Sequence, residues 1–180
     1  MSPACFDTKN EEKMAQKFDH YPLMFTFRDV ISGEGFLAGI TLSGRSLMAD
    51  EDGQWWMYGV RPGALAEIGN TPEETFLRFR NRYKEILVDI ASECKSFEEF
   101  KLEVERFFYE PDADEEKRWE DAVACIRSGN IAPPPLFAGL PREAPETHPS
   151  LIAVERLDGA SKRFMPTDNV SDTYLVPVAA

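Results

Sequence analysis

Two different spacings of apolar residues divide this chain, and the change from one to the other falls near Asn70. Before it the signals are those of strands. Met24 to Ile31 carries Phe, Val and Ile, and Ser32-Gly33-Glu34-Gly35 supplies a turn. Phe36, Ala38, Ile40, Leu42, Ser46 and Met48 then recur at period two, with Thr41, Ser43 and Arg45 on the opposite side. That alternation predicts a half-buried strand. Asp50-Glu51-Asp52-Gly53 ends it with a glycine suited to positive φ, and the aromatic run Gln54 to Val60 returns as the next strand. Arg61-Pro62-Gly63 breaks the run and Ala64 to Ile68 fits one short strand more. The prediction is an antiparallel meander of three or four strands.

After Asn70 the period becomes helical. Thr71-Pro72-Glu73-Glu74 combines an N-cap threonine, a proline at the first helical position and a glutamate placed to reach back to the Thr71 amide. Phe76, Phe79, Tyr83, Ile86, Leu87 and Ile90 follow at three and four residues, a stripe that has to lie on something apolar. The inner face of the meander is the partner at hand. Ser96-Phe97-Glu98-Glu99 repeats the capping pattern before a second stripe of Phe97, Phe100, Val104, Phe107 and Phe108, which Pro111 stops. Asp112 or Asp114 can cap a third helix bearing Trp119, Ala122, Val123 and Ile126, closed by Gly129-Asn130. Six prolines between Ile131 and Pro149 exclude regular structure there, and Leu151 to Leu157 and Tyr174 to Val178 are short strand candidates for a sheet edge.

The organisation that results is a polar segment over 1–20, an α+β core over 21–93, an acidic helical extension over 94–130, and a Pro-rich linker and arm with short strands over 131–180. Its fold class is α+β, a meander packed by a long helix, with helices and an arm added C-terminally. A length of 180 residues and 43% hydrophobic content support a core of this size.

Charge narrows the function. With 32 acidic against 20 basic residues the net charge is −12, which disfavours sequence-independent contact with a nucleic-acid backbone. The three cysteines, Cys5, Cys94 and Cys125, have no CxxC spacing, so neither a disulfide framework nor a zinc knuckle is expected. No apolar run reaches membrane-spanning length, and the first 20 residues lack the apolar core of a signal peptide. The expectation is a soluble cytoplasmic protein without membrane association.

Only two histidines, His20 and His148, are available, and no GxSxG, Walker, GxGxxG or HExxH pattern occurs. Asp50, Glu51 and Asp52 lack the ligand spacing of a hard-cation loop and read as a charged turn. No catalysis, cofactor or metal is expected. Arg78, Arg80, Arg82 and Lys84 flank the first helix's stripe on both sides, so they cover its edges rather than form one phosphate-binding patch.

Two features look functional. Glu93 to Asp121 holds 12 acidic and five basic residues, a net of −7, which makes Glu98, Glu99, Asp114 and Glu115 candidates for receiving a basic partner. The bland reading is a solvated helix face. Trp55 and Trp56 are adjacent on a strand and must face opposite ways, so one of these two covers something other than the same core, whether the C-terminal helices, a second subunit or a partner, and Trp55, Trp56 and Tyr58 are candidate binding residues. The apolar tail Leu175 to Ala180 reads either as a protease-recognised end or as an edge strand.

The order strand, Asp-Gly turn, aromatic strand, Pro-Gly break and short strand, leading through Gly69-Asn70-Thr71-Pro72-Glu73-Glu74 into a helix, resembles the HicB-like antitoxin domain over residues 36–91. The motif residues are Gly69, Asn70, Thr71, Pro72 and Glu74, with Asn70 where aspartate is commoner. The resemblance implies a partial ribonuclease-H-like fold and a binding protein that blocks a small basic ribonuclease toxin. Many members of that family add a C-terminal DNA-binding segment. This chain shows no basic recognition helix, so DNA binding is not expected. The alternative expectation is an orphan of the same fold that self-associates, as a homo-oligomer, or binds a small molecule without any toxin.

Overall fold

The computed structural model describes residues 20–129, 150–158 and 175–177, the last through its backbone. The Pro-rich stretch, His148 and the ends of the chain lie outside the described residues. The architecture is α+β. Four antiparallel strands, β1 (His20–Gly33), β2 (Phe36–Glu51), β3 (Gln54–Arg61) and β4 (Ala66–Gly69), form the expected meander, followed by α1 (Pro72–Glu93), α2 (Phe97–Tyr109) and α3 (Ala113–Arg127). Two short strands, β5 (Leu151–Arg156) and β6 (Leu175–Pro177), add to the sheet.

The first two strands are longer than the apolar pattern alone indicates, because polar residues such as Thr26, Arg28 and Ser43 alternate through a hairpin that pairs from His20–Ala49 to Gly33–Phe36. β2 has two partners on its other edge. Residues 45–51 pair with β3, residues 38–43 pair with β5, and the register shifts between Arg45 and Ser46 where the exchange occurs. Gly44 sits at that exchange. A Cβ there would lie 2.6 Å from the Arg61 carbonyl oxygen and the Phe25 ring, so only glycine lets the strands approach. The β2–β3 turn is the two-residue loop Asp52-Gly53, with φ of 54° and 81°, the geometry that follows the twist of a hairpin. The fourth strand begins two residues later than its apolar run suggests, since the segment after the cis Arg61–Pro62 bond folds back to bond Gly59 N–H to the Leu65 carbonyl.

The main core lies between one sheet face and α1 with α2. Leu23, Phe25, Phe27 and Ile31 from β1 meet Ala38, Ile40 and Leu42 from β2 and the α1 stripe. Phe79 packs edge-on against Phe25 at 5.3 Å and Tyr83 against Phe27 at 4.7 Å. Each such fully buried side chain contributes on the order of 2 kcal/mol. α2 extends this layer, with Phe100, Val104 and Phe108 buried and Phe100 at 5.1 Å from Phe36. Val154 of β5 joins the same core.

α3 is on the opposite face. Its Ala122 forms a second, smaller cluster with Leu47 and Val60, residues that alternate with Met48 and Met57 of the main core, and Trp119 and Tyr58 pack against it. The acidic extension therefore does not form one surface. It places one helix on each side of the sheet.

The helix starts match the sequence with one difference. Thr71 Oγ1 accepts from the Glu74 amide at 3.1 Å and Ser96 Oγ from the Glu99 amide at 3.2 Å. The returning carboxylates go one residue further back than expected, Glu74 accepting from Asn70 N–H and Glu99 from Lys95 N–H, each at 2.9 Å. Asp112, rather than Asp114, caps α3 by accepting from the Asp114 and Glu115 amides.

Candidate functional site

The predicted binding residues fall into two groups on opposite sides of the sheet. On the α3 side, Trp56 and Tyr58 stack with centroids 5.8 Å apart and planes 5° from parallel. Trp55 points to the main core, so the opposite facing of the two tryptophans is as expected and Trp56 is the one turned away from it. The Tyr58 hydroxyl donates to Glu51 at 2.9 Å, and burial together with that carboxylate pushes its pKa up to about 12.

Tyr58 also borders a shallow recess of about 290 Å³, closed by the Gly63–Ala66 turn and by Asp112 and Glu115 from the start of α3. Glu115 receives Arg118 at 2.9 Å on one oxygen, while its other oxygen is buried without a hydrogen bond among the described residues. Burial raises its pKa, more than Arg118 lowers it. Asp114 is exposed beside it. Two predicted residues, Tyr58 and Glu115, thus line one recess, and a third, Trp56, stacks on Tyr58.

The other group lies between α1 and α2. The three-residue link Cys94–Ser96 folds these helices into a hairpin, and on their shared edge runs a groove of about 370 Å³. Its floor is apolar, made by Ile86 and Ile90 of α1, Phe107 of α2 and the cap residue Cys94. Glu93, Glu99, Glu103 and Glu110 line it against the single cation Arg106, which pairs with Glu103 within its own helix. Cys94 is almost fully buried, and burial with the nearby Glu99, Glu103 and Glu93 raises its thiol pKa. Of the two α2 carboxylates expected to meet a partner, Glu99 lines this groove and Glu98 faces away from it toward Arg156.

Sequence reasoning missed Glu93, Glu103 and Glu110, although Glu99, Glu103 and Arg106 are spaced four and three apart on one helix face and the C-cap Glu110 follows four residues later. It also missed a partly buried charge cluster. Arg45 and Arg61, paired across β2 and β3, both reach one oxygen of Glu116 on α3, Arg45 at 3.1 Å, and the Arg45 guanidinium lies 4.8 Å over the Trp119 ring. Burial lowers the Arg45 pKa despite Glu116. This cluster fixes α3 to the sheet and is structural.

The basic run on α1 divides as expected. Arg80 lies 5.5 Å over Phe27 and Lys84 reaches Asp29 at 3.0 Å on one side, while Arg78 binds Glu74 and the Ile68 carbonyl on the other. Among the described residues no group of three or more His, Cys, Asp or Glu side chains is placed to hold a metal ion, and no helix is long and apolar enough to cross a membrane. The motif residues Gly69 to Glu74 serve the fold: a Cβ at Gly69 would meet Thr75 Oγ1 at 2.6 Å and the Thr75 amide nitrogen at 2.8 Å, so glycine lets the helix start close over the strand it leaves. Comparison with protein-family models, curated proteins and solved structures finds no match to this chain.

Proposed function

We propose that this chain is a non-enzymatic protein-binding module that works in the manner of a HicB-like antitoxin in the cytoplasm, holding a small basic ribonuclease toxin inactive. The observation that carries the reading is the α1–α2 groove, where an apolar floor and four glutamates against one arginine offer a surface suited to a basic protein. Attraction of this kind speeds encounter and excludes acidic competitors, and it weakens with salt. The meander with α1 laid across it, entered through Gly69–Glu74, adds support as the layout that the HicB-like, partial ribonuclease-H-like reading requires. Purification of the tagged chain from its source cell at low ionic strength tests the proposal. A small basic protein should co-purify and be released by salt; recovery of none counts against it.

A second reading rests on the other group. The stacked Trp56–Tyr58 pair beside the recess at Glu115 fits an orphan protein that self-associates or takes a small molecule there. Light scattering after size-exclusion chromatography, with a thermal-shift screen of small ligands, distinguishes it. A monomer with no ligand response removes this reading.

A further inference from the structure

Resting on the binding reading above, we infer that the element received by the α1–α2 groove is a single amphipathic helix of the partner, carrying an apolar stripe flanked by lysine or arginine. The groove's shape argues for a helix. Glu99, Glu103 and Arg106 follow one line along α2 that the C-cap Glu110 ends, and at 1.5 Å per residue that line is about 16 Å long, close to three helical turns. Their four-three-four spacing is the pattern of side chains flanking a helix–helix seam, and the floor residues Ile86 and Ile90 are themselves one turn apart on α1. A third helix laid between two helices of a hairpin finds ridges and grooves at its own period. An extended strand, with side chains alternating every residue, finds no sheet edge there, because both walls are helices whose backbones bond internally.

The charge argues for a basic helix. Within the groove the carboxylates outnumber the guanidinium by three, and among the described residues Glu93 and Glu110 enter no ion pair, so incoming cations displace no internal partner at those two positions. Ile86, Ile90 and Phe107 are only partly buried by the hairpin, which leaves apolar surface for the stripe to cover. An anionic membrane surface is repelled by the same rim.

The test uses the full chain, labelled with ¹⁵N, and three synthetic peptides: a lysine–leucine peptide patterned at helical period, the same composition in scrambled order, and the patterned peptide with glutamate in place of lysine. The patterned basic peptide should shift the amides of Ile86, Ile90 and Phe107, turn helical by circular dichroism on binding, and lose at least tenfold in affinity to the E93Q/E103Q/E110Q variant. The scrambled and acidic peptides should bind at least tenfold more weakly. Equal binding of the scrambled peptide, shifts centred on Tyr58 and Glu115, or unchanged affinity in a variant whose amide spectrum shows it folded would overturn the inference. The two readings fail separately: absence of a basic partner on purification overturns the toxin-binding function, and unshifted groove amides overturn the helix assignment.

Discussion

Replacing Tyr83 by phenylalanine should make this protein more stable, although it removes a polar group from the centre of the molecule. The Tyr83 ring is fully buried between Phe27 and Phe107, at 4.7 and 6.0 Å, and its hydroxyl makes no hydrogen bond among the described residues. Burying an unpaired hydroxyl costs about 1–3 kcal/mol. Deleting the oxygen leaves a void of roughly 15 Å³, worth about 0.4 kcal/mol at 24 cal/mol per Å³. The expected gain is therefore about 1–2 kcal/mol, read as a higher urea midpoint with unchanged slope, and as roughly 2–4 °C in Tm for each kcal/mol in a chain of this size.

The pH dependence gives an independent arm. Burial holds the Tyr83 phenol far above its usual value, so the folded chain keeps its proton where the unfolded chain, with a pKa of about 10, loses it. The contribution is fully present below pH ~10 and is lost as pH rises above it, because the unfolded state then binds fewer protons. Tyr83→Phe should flatten that alkaline decline in part, with Tyr58, pushed up to about 12, supplying some of what is left. A variant less stable than the parent would refute the reasoning by showing that the hydroxyl has a partner, and one with the same alkaline slope would refute it by showing that burial does not hold the phenol's proton.

Further perturbations test the other joints of the fold. Glu116→Gln leaves two guanidinium groups without their shared carboxylate; with Arg45, Arg61 and Glu116 side chains 19%, 23% and 29% exposed, the loss should fall between surface and buried pairs, about 1–3 kcal/mol, and adding Arg45→Met should return part of it in urea unfolding followed by tryptophan fluorescence. Gly69→Ala drives a Cβ against the Thr75 backbone and should cost about 2 kcal/mol in the same assay. Thr71→Ala removes the acceptor of the Glu74 amide and should cost about 1 kcal/mol, with exchange of the first-turn amides of α1 accelerated in hydrogen-exchange experiments.

The local elements were legible in the sequence because they rest on local chemistry. Thr71, Ser96 and Asp112 cap the helices they precede, Asp52-Gly53 turns the hairpin, and the period-two residues of β2 through Met48 share one face, the bulge beside Arg45 and Ser46 taking its extra residue from β3. What was not legible depends on where distant segments meet. No spacing within Ala113–Arg127 says that α3 crosses to the far face of the sheet, because that placement is set by Leu47 and Val60 and by the Arg45–Glu116–Arg61 cluster, residues 55 and 71 positions from their partner. For the same reason Glu99 and Glu115, read together as one negative surface, belong to separate recesses. The groove itself was half visible, since its α2 line repeats at helical spacing, but its α1 wall of Ile86, Ile90 and Glu93 follows only from the hairpin.

The binding function is tested most directly by an RNA-cleavage assay on the basic protein that co-purifies with this chain, stripped from it by high salt and then returned to low salt. The stripped protein should cleave RNA, adding back the chain in equal amount should silence it, and the E93Q/E103Q/E110Q variant should silence it at least tenfold less effectively. A co-purifying protein that cleaves no RNA, or one whose cleavage is indifferent to the chain, would contradict the binding function.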